Sequence, residues 1–189
     1  RRSSDLLIDD RVRYFKEEKG EYNTGTGYRT LYNLIQGFSP QRDVELFELV
    51  AEIVDAYNEI KYYAAVEENL EEVPTIKALE GEINQVLLNL LVNAAHAIKS
   101  KGIQGIIKIH TYSDNDYVKC EISDNGIGIS EENINNIFNP FFTTKPVGIG
   151  TGLGLSISHD IIVNKHSGSI EVKSNEGEGT TFVISLPID

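Results

Sequence analysis

A chain of 189 residues, 40% hydrophobic and 24% charged, has the composition of a globular protein, suffices for one domain with an appended element and excludes two full-sized domains. Its net charge of −12, with no Lys/Arg-rich run, excludes a nucleic-acid backbone as partner, so any phosphate bound belongs to a small ligand in a local pocket. A single cysteine, Cys120, forbids an internal disulfide or a multi-cysteine zinc site, and no apolar run is long enough for a membrane span or a leader segment. The expectation is a cytoplasmic piece of a longer protein that makes no membrane contact itself, whatever anchors its parent.

Residues 1–38 carry only patchy helical periodicity (Leu6, Leu7, Val12, then Leu31, Leu34, Ile35), broken by the turn-forming "KGEYNTGTG" at 19–27. They read as a helical connector, with a domain boundary at "GFSP" (37–40) and one main domain over 41–189. A helix is predicted from about Asp43 to Tyr57, where Leu46, Leu49, Val50, Ile53 and Val54 make one apolar stripe. "IKYYAAVEE" (60–68) and "TIKAL" (75–79) read as strands around an acidic, Pro-containing loop.

The strongest helix is "GEINQVLLNLLVNAAHAIKSK" (81–101), with Ile83, Val86, Leu87, Leu90, Leu91, Ala94 and Ile98 on its core face and Gln85, Asn89, Asn93 and His96 on a second face. Two asparagines one turn apart oppose helix propensity, which predicts a compensating role. Strands follow at 105–112 and 117–123, then a short helix from Ser130, a glycine-rich stretch to Gly154, a helix to about His166, and strands at 169–174 and 179–186. Hairpins with helices between and after them predict an α+β fold: a two-layer α/β sandwich whose mixed, mainly antiparallel sheet is covered on one face by helices.

In "YVKCEISD" the period-two rule turns Val118, Cys120, Ile122 and Asp124 to the buried side, so Cys120 reads as a strand thiol and Asp124 as an inward carboxylate in need of donors. Gly126 and Gly128 in "DNGIGIS" permit either a tight turn or close approach by a ligand, and Ser130 is placed to cap the next helix. "NPFFTTKPVGIGTGLGLSIS" (139–158) spaces Gly148, Gly150, Gly152 and Gly154 two apart ahead of an apolar helix, with Lys145 nearby. It is either a loop whose backbone N–H groups grip an anion or a plain surface loop, and it matches neither the P-loop nor the dinucleotide fingerprint.

"NQVLLNLLVNAAHAI", "DNGIGI", "NPFFTTK", "GTGLGL" and "GEGTTF" occur in that order, with 31 residues from Asn93 to Asp124 and 26 from Asp124 to Gly150. Together they resemble the N, G1, F, G2 and G3 boxes of the ATP-binding domain of sensor histidine kinases, in the GHKL superfamily with its Bergerat nucleotide fold; the resemblance covers about 43–189. It implies ATP and Mg²⁺ as cofactors. By it, Asp124 accepts from the adenine amino group, Asn93 ligates Mg²⁺, the 148–154 stretch closes on the phosphates, and Thr180 supports the adenine end. The implied binding set is Asn89, Asn93, His96, Asp124, Gly126, Gly128, Ile129, Thr144, Lys145, Gly150, Thr151, Gly152, Leu153, Gly154, Leu155 and Thr180.

Two positions depart from the family pattern. Ile149 stands where relatives often carry Lys or Arg, and His96 occupies the place of a phosphate-touching cation, a role open to it when protonated as a hydrogen-bonded surface role also is. The superfamily's hydrolases and serine-directed kinases put a general-base Glu where this chain has Asn89. A histidine substrate needs no such base, because neutral imidazole already offers a lone pair. The resemblance therefore implies transfer of the ATP γ-phosphoryl group to a histidine on a separate dimerisation domain, and then to a response regulator. None of His96, His110, His159 and His166 has a phosphoacceptor's context, so no catalytic residue is assigned. Residues 1–38 are then a remnant of the dimerisation domain or of an upstream sensor. The alternatives are a nucleotide-binding module without transfer, or a superfamily ATPase.

Overall fold

The computed structural model describes residues 42–46, 48–50, 62–114, 116–145 and 151–188, so the expectations for 1–38, for most of the 43–57 helix, and for Gly148, Ile149 and Gly150 lie outside the described residues. The elements are β1 (Arg42–Val44), β2 (Ala64–Leu70), β3 (Ile76–Ala78), α1 (Glu80–Lys101), β4 (Gly105–Ser113), β5 (Tyr117–Asp124), α2 (Glu131–Ile134), α3 (Gly154–His159) with a π-helical continuation (Asp160–Lys165), β6 (Ser169–Asn175) and β7 (Gly179–Pro187). A five-stranded sheet runs β2-β4-β5-β7-β6, and β1 and β3 form a separate pair. β2 lies parallel to β4 while the other contacts are antiparallel, so the sheet is mixed as expected.

α1 crosses one face of this sheet against β4, β5 and β7. All seven expected core positions of α1 are buried, and Val118, Cys120 and Ile122 of β5 meet them from below. Burial in this layer pushes the Cys120 thiol up to about 12, which fits a packing role and no reactive one. Acidic Glu80 and Glu82 open α1, basic Lys99 and Lys101 close it, and Gly102 at φ 73° takes the left-handed cap.

Three local expectations are corrected. Arg42–Val44 is a strand, not the start of a helix: it pairs with Ile76–Ala78, placing Val44 opposite Ile76, and helical residues begin at Leu46. Burial of Val44, Ile76 and Ala78 in this small pair outweighs the helical periodicity that follows it. The strand expected at 60–68 starts only at Ala64, because Tyr62 and Tyr63 are still helical, and it runs on to Leu70. Ser130 occupies the N-cap position of α2, but its hydroxyl accepts from Asn133 Nδ2 at 2.8 Å and caps no backbone N–H.

The helix expected to reach His166 changes at Asp160 from α to π geometry. His166 then folds back: Nδ1 donates to the Ile161 carbonyl at 2.8 Å, and Nε2 accepts the Leu79 N–H at 3.0 Å. One neutral tautomer satisfies both contacts, and it fastens the start of α1 to the end of α3's continuation. His166→Ala is expected to destabilise the chain by about 2–4 kcal/mol, since it leaves a cavity and a stranded backbone donor. The measure is the urea midpoint, and an unchanged midpoint would remove this fastening from the account.

Candidate functional site

The cleft lies between the polar face of α1, the loop after β5, and the segments flanking 146–150, with a volume of about 500 Å³. Asn89, Asn93 and His96 line it from α1, and Asp124, Gly128, Ile129, Thr144, Lys145, Thr151, Gly152, Gly154, Leu155 and Thr180 line it from elsewhere. Gly126 stands just behind, where a Cβ would sit 2.6 Å from Ala97 and 2.7 Å from Asp124 Oδ1. Leu153 is absent from the lining. Sequence reasoning missed Val92, Ala97 and Ser100 on α1, although each falls within one turn of a predicted residue, and it missed Ile127 and Phe142.

At one end, Asp124 is the last residue of β5 and pairs directly with Thr180 of β7. Its Oδ1 accepts the Gly126 N–H at 2.8 Å. Burial raises its carboxyl to about 6, against the opposing pull of the Gly126 and Thr180 N–H groups and the Lys101 charge. A carboxylate held inward at such an electrostatic penalty is an acceptor waiting for a donor.

Ser174, which the sequence did not single out, fixes the polarity of this end. Its hydroxyl donates to the Gly179 carbonyl at 2.8 Å, accepts the Ile129 N–H at 2.8 Å, and lies 2.9 Å from Thr180 Oγ1. With its one proton committed to Gly179, Ser174 takes the Thr180 proton, so Thr180 keeps only lone pairs for the cleft. The loop after β5 is tied down further by Gly177 N–H donating to Ile127 O at 2.7 Å. Gly128, at φ 69°, is pressed so closely on the Asn175 carbonyl that a Cβ there would lie 2.0 Å from its oxygen.

At the other end, Asn89 Nδ2 donates to Gly154 O at 3.2 Å and to Ser158 Oγ at 3.3 Å, pinning the first turn of α3 to α1. One turn along α1, Asn93 Oδ1 accepts from Lys145 Nζ at 3.2 Å, and His96 Nδ1 lies 3.0 Å from the same nitrogen. A charged ammonium has no lone pair, so in this contact His96 Nδ1 is the acceptor. Burial lowers the pKa of Lys145. Among the described lining residues Lys145 is the only Lys or Arg, and Asp124 the only carboxylate.

No group of three or more His, Cys, Asp or Glu among the described residues could hold a metal ion. A divalent ion here would therefore have the Asn93 oxygen and would need ligand phosphates and water to complete a hard-oxygen shell. The Lys145 ammonium at that oxygen is a stand-in cation, and in this respect the residues fit such an ion.

The chain is 43% identical over 117 residues to the sensor histidine kinase ZraS of Escherichia coli (strain K12), covering 62% of this chain and 24% of that protein. It is 38% identical over 119 residues to sporulation kinase E of Bacillus subtilis (strain 168), covering 63% of this chain and 15% of that protein. It thus spans a quarter or less of these relatives' length. The solved catalytic domain of histidine kinase ThkA, in a nucleotide-free form, superposes with a TM-score of 0.67 at 35% identity over 78% of this chain and 97% of that one. Residues 78–189, more than half of the chain, match the family model described as histidine kinase-, DNA gyrase B- and HSP90-like ATPase, and to that family the chain belongs.

Proposed function

We propose that this chain is the ATP-binding catalytic domain of a two-component sensor histidine kinase, which passes the ATP γ-phosphoryl group to a histidine on a separate helical dimerisation domain, for relay to a response regulator. The observation that carries the reading is the cleft's two unlike ends: an acceptor pair, Asp124 and Thr180, and a cation, Lys145, beside the side-chain oxygen of Asn93. Two acceptors suit the exocyclic amino group of adenine and oppose the carbonyl that guanine carries there. The polyphosphate then points along α1 toward Lys145 and the N-terminal turn of α3.

Asn93 would hold Mg²⁺ together with the phosphates, and the ion would neutralise charge that Lys145 alone cannot. Phosphoryl transfer depends mainly on positioning and charge neutralisation, and this chain's residues supply both. Asn89 supports a histidine substrate over water. Where a hydrolase would hold a carboxylate base, Asn89 uses its amide to orient α3, and the cleft's only described carboxylate is at the adenine end. Among the described histidines, His166 is buried in structural hydrogen bonds and His110 pairs with Glu71 at 3.0 Å, which supports an acceptor on another domain.

Calorimetric titration with ATP and ADP, with and without Mg²⁺, followed by transfer to a supplied histidine-bearing helical domain, tests the proposal. Micromolar, Mg²⁺-sensitive binding is expected. Asn93→Ala is expected to erase most of the Mg²⁺ sensitivity while leaving the melting curve intact. Metal dependence that survives this change would remove the Asn93 role, and no binding by the unaltered chain would overturn the proposal.

A further inference from the structure

Lys145 is held in an unusual way. Its ammonium reaches two acceptors one turn apart on α1, Asn93 Oδ1 at 3.2 Å and His96 Nδ1 at 3.0 Å, and neither is a carboxylate. Buried or half-buried lysines ordinarily find a carboxylate. Here the only carboxylate of the described lining, Asp124, belongs to the opposite end of the cleft. Among the described lining residues the Lys145 end of the cleft thus has no carboxylate of its own, and the ammonium lies on the oxygen that a metal ion would use.

An ammonium and a divalent ion on one side-chain oxygen would lie within a few ångströms of each other, where their repulsion makes joint occupancy unfavourable. They are alternatives. We propose that Lys145 is a built-in substitute for the divalent cation: from its place on Asn93 it offsets part of the polyphosphate charge of a metal-free nucleotide, and it gives up Asn93 when the nucleotide arrives with its metal. This rests on the nucleotide reading of the cleft and adds to it a second, metal-independent mode of binding for nucleoside di- and triphosphates. The mode needs no movement of Lys145, since the ammonium already stands in place.

The test is calorimetric titration of ATP into the whole chain, once in EDTA and once in excess Mg²⁺, for the unaltered protein and for Lys145→Met, which keeps an unbranched apolar stem. Metal-free affinity is expected to fall about tenfold more than affinity in Mg²⁺, because only the metal-free mode loses the one Lys or Arg of the described lining with no metal ion to replace it. A thermal melt of the variant without ligand checks that its fold is kept, and Lys145→Gln serves if the Met variant fails that check. Equal losses in the two buffers would make Lys145 an ordinary phosphate contact and overturn the substitution. So would undiminished metal-free affinity. If the unaltered protein binds ATP only with Mg²⁺, the substitution fails while the nucleotide reading stands; if it binds in neither buffer, the nucleotide reading itself fails.

Discussion

Asp124→Asn is expected to make the empty chain more stable while removing at least 99% of its affinity for adenine nucleotides, about a hundredfold loss. Both effects follow from the position of the carboxylate. Its pKa rises from 3.8 to about 6 mainly through burial, so the folded state binds that proton more tightly than the unfolded state does. For a carboxylate raised in this way, stability contributed by the proton is complete below about pH 4 and is lost as pH climbs through about 6. Above that the ionised group is a standing cost, on the order of 1–3 kcal/mol. Asparagine removes the charge, so the variant's advantage is expected to be full at pH 8 and to vanish near pH 4.

The binding loss has a geometric cause. Gly126 N–H already points at Oδ1, so an asparagine amide keeps its oxygen there and turns its NH₂ toward the cleft, where two donors would face each other. Urea midpoints at the two pH values together with an ATP titration at pH 8 check the pair of effects. A variant that binds normally would separate Asp124 from the adenine.

Gly179→Ala carries the larger expected cost in folding. Gly179 sits at φ 134°, a conformation close to glycine-only, and a Cβ there would lie 1.9 Å from the Asp124 carbonyl oxygen and 2.9 Å from Asn125 Cα. Both obstacles are backbone, so β5 and β7 must part just where Asp124 and Thr180 meet. The expected loss is about 3–5 kcal/mol, the sum of overpacking and backbone strain. Gly177, two residues earlier, is the internal comparison: it has φ 82° but nothing within 4 Å of an added Cβ. Gly177→Ala is expected to cost only about 1 kcal/mol. Chemical denaturation of the two variants side by side decides the matter, and equal losses would show that left-handed backbone, not the approach to Asp124, sets the price.

The parts legible in the sequence were those governed by local periodicity. The four strands expected from residue 105 onward match the structure to within a residue or so, because each buries alternate side chains against α1 or its neighbours. The same rule placed Asp124 inward. What escaped was set by contacts between distant segments. β1 has only three residues, too few for a period, and owes its conformation to Ile76–Ala78. Ser174 acts through Ile129, 45 residues away in sequence, and nothing about a serine in an alternating strand signals that. Likewise Lys145 was visible as a nearby cation, but its grip on Asn93, 52 residues away, was not.

The parallel contact between β2 and β4 links folding to ligand binding. Ala64 pairs with Gly105 across an interval that contains β3 and the whole of α1, so this edge cannot zip up as a hairpin does. Closing that long loop becomes favourable only once α1 is docked on the sheet. Docking α1 also brings Asn89, Asn93 and His96 to the cleft, so the sheet's edge and the cleft's polar wall form and melt as one cooperative unit. A ligand that holds α1 in place is therefore expected to slow hydrogen exchange along β2, two strands away from Asp124 in the sheet.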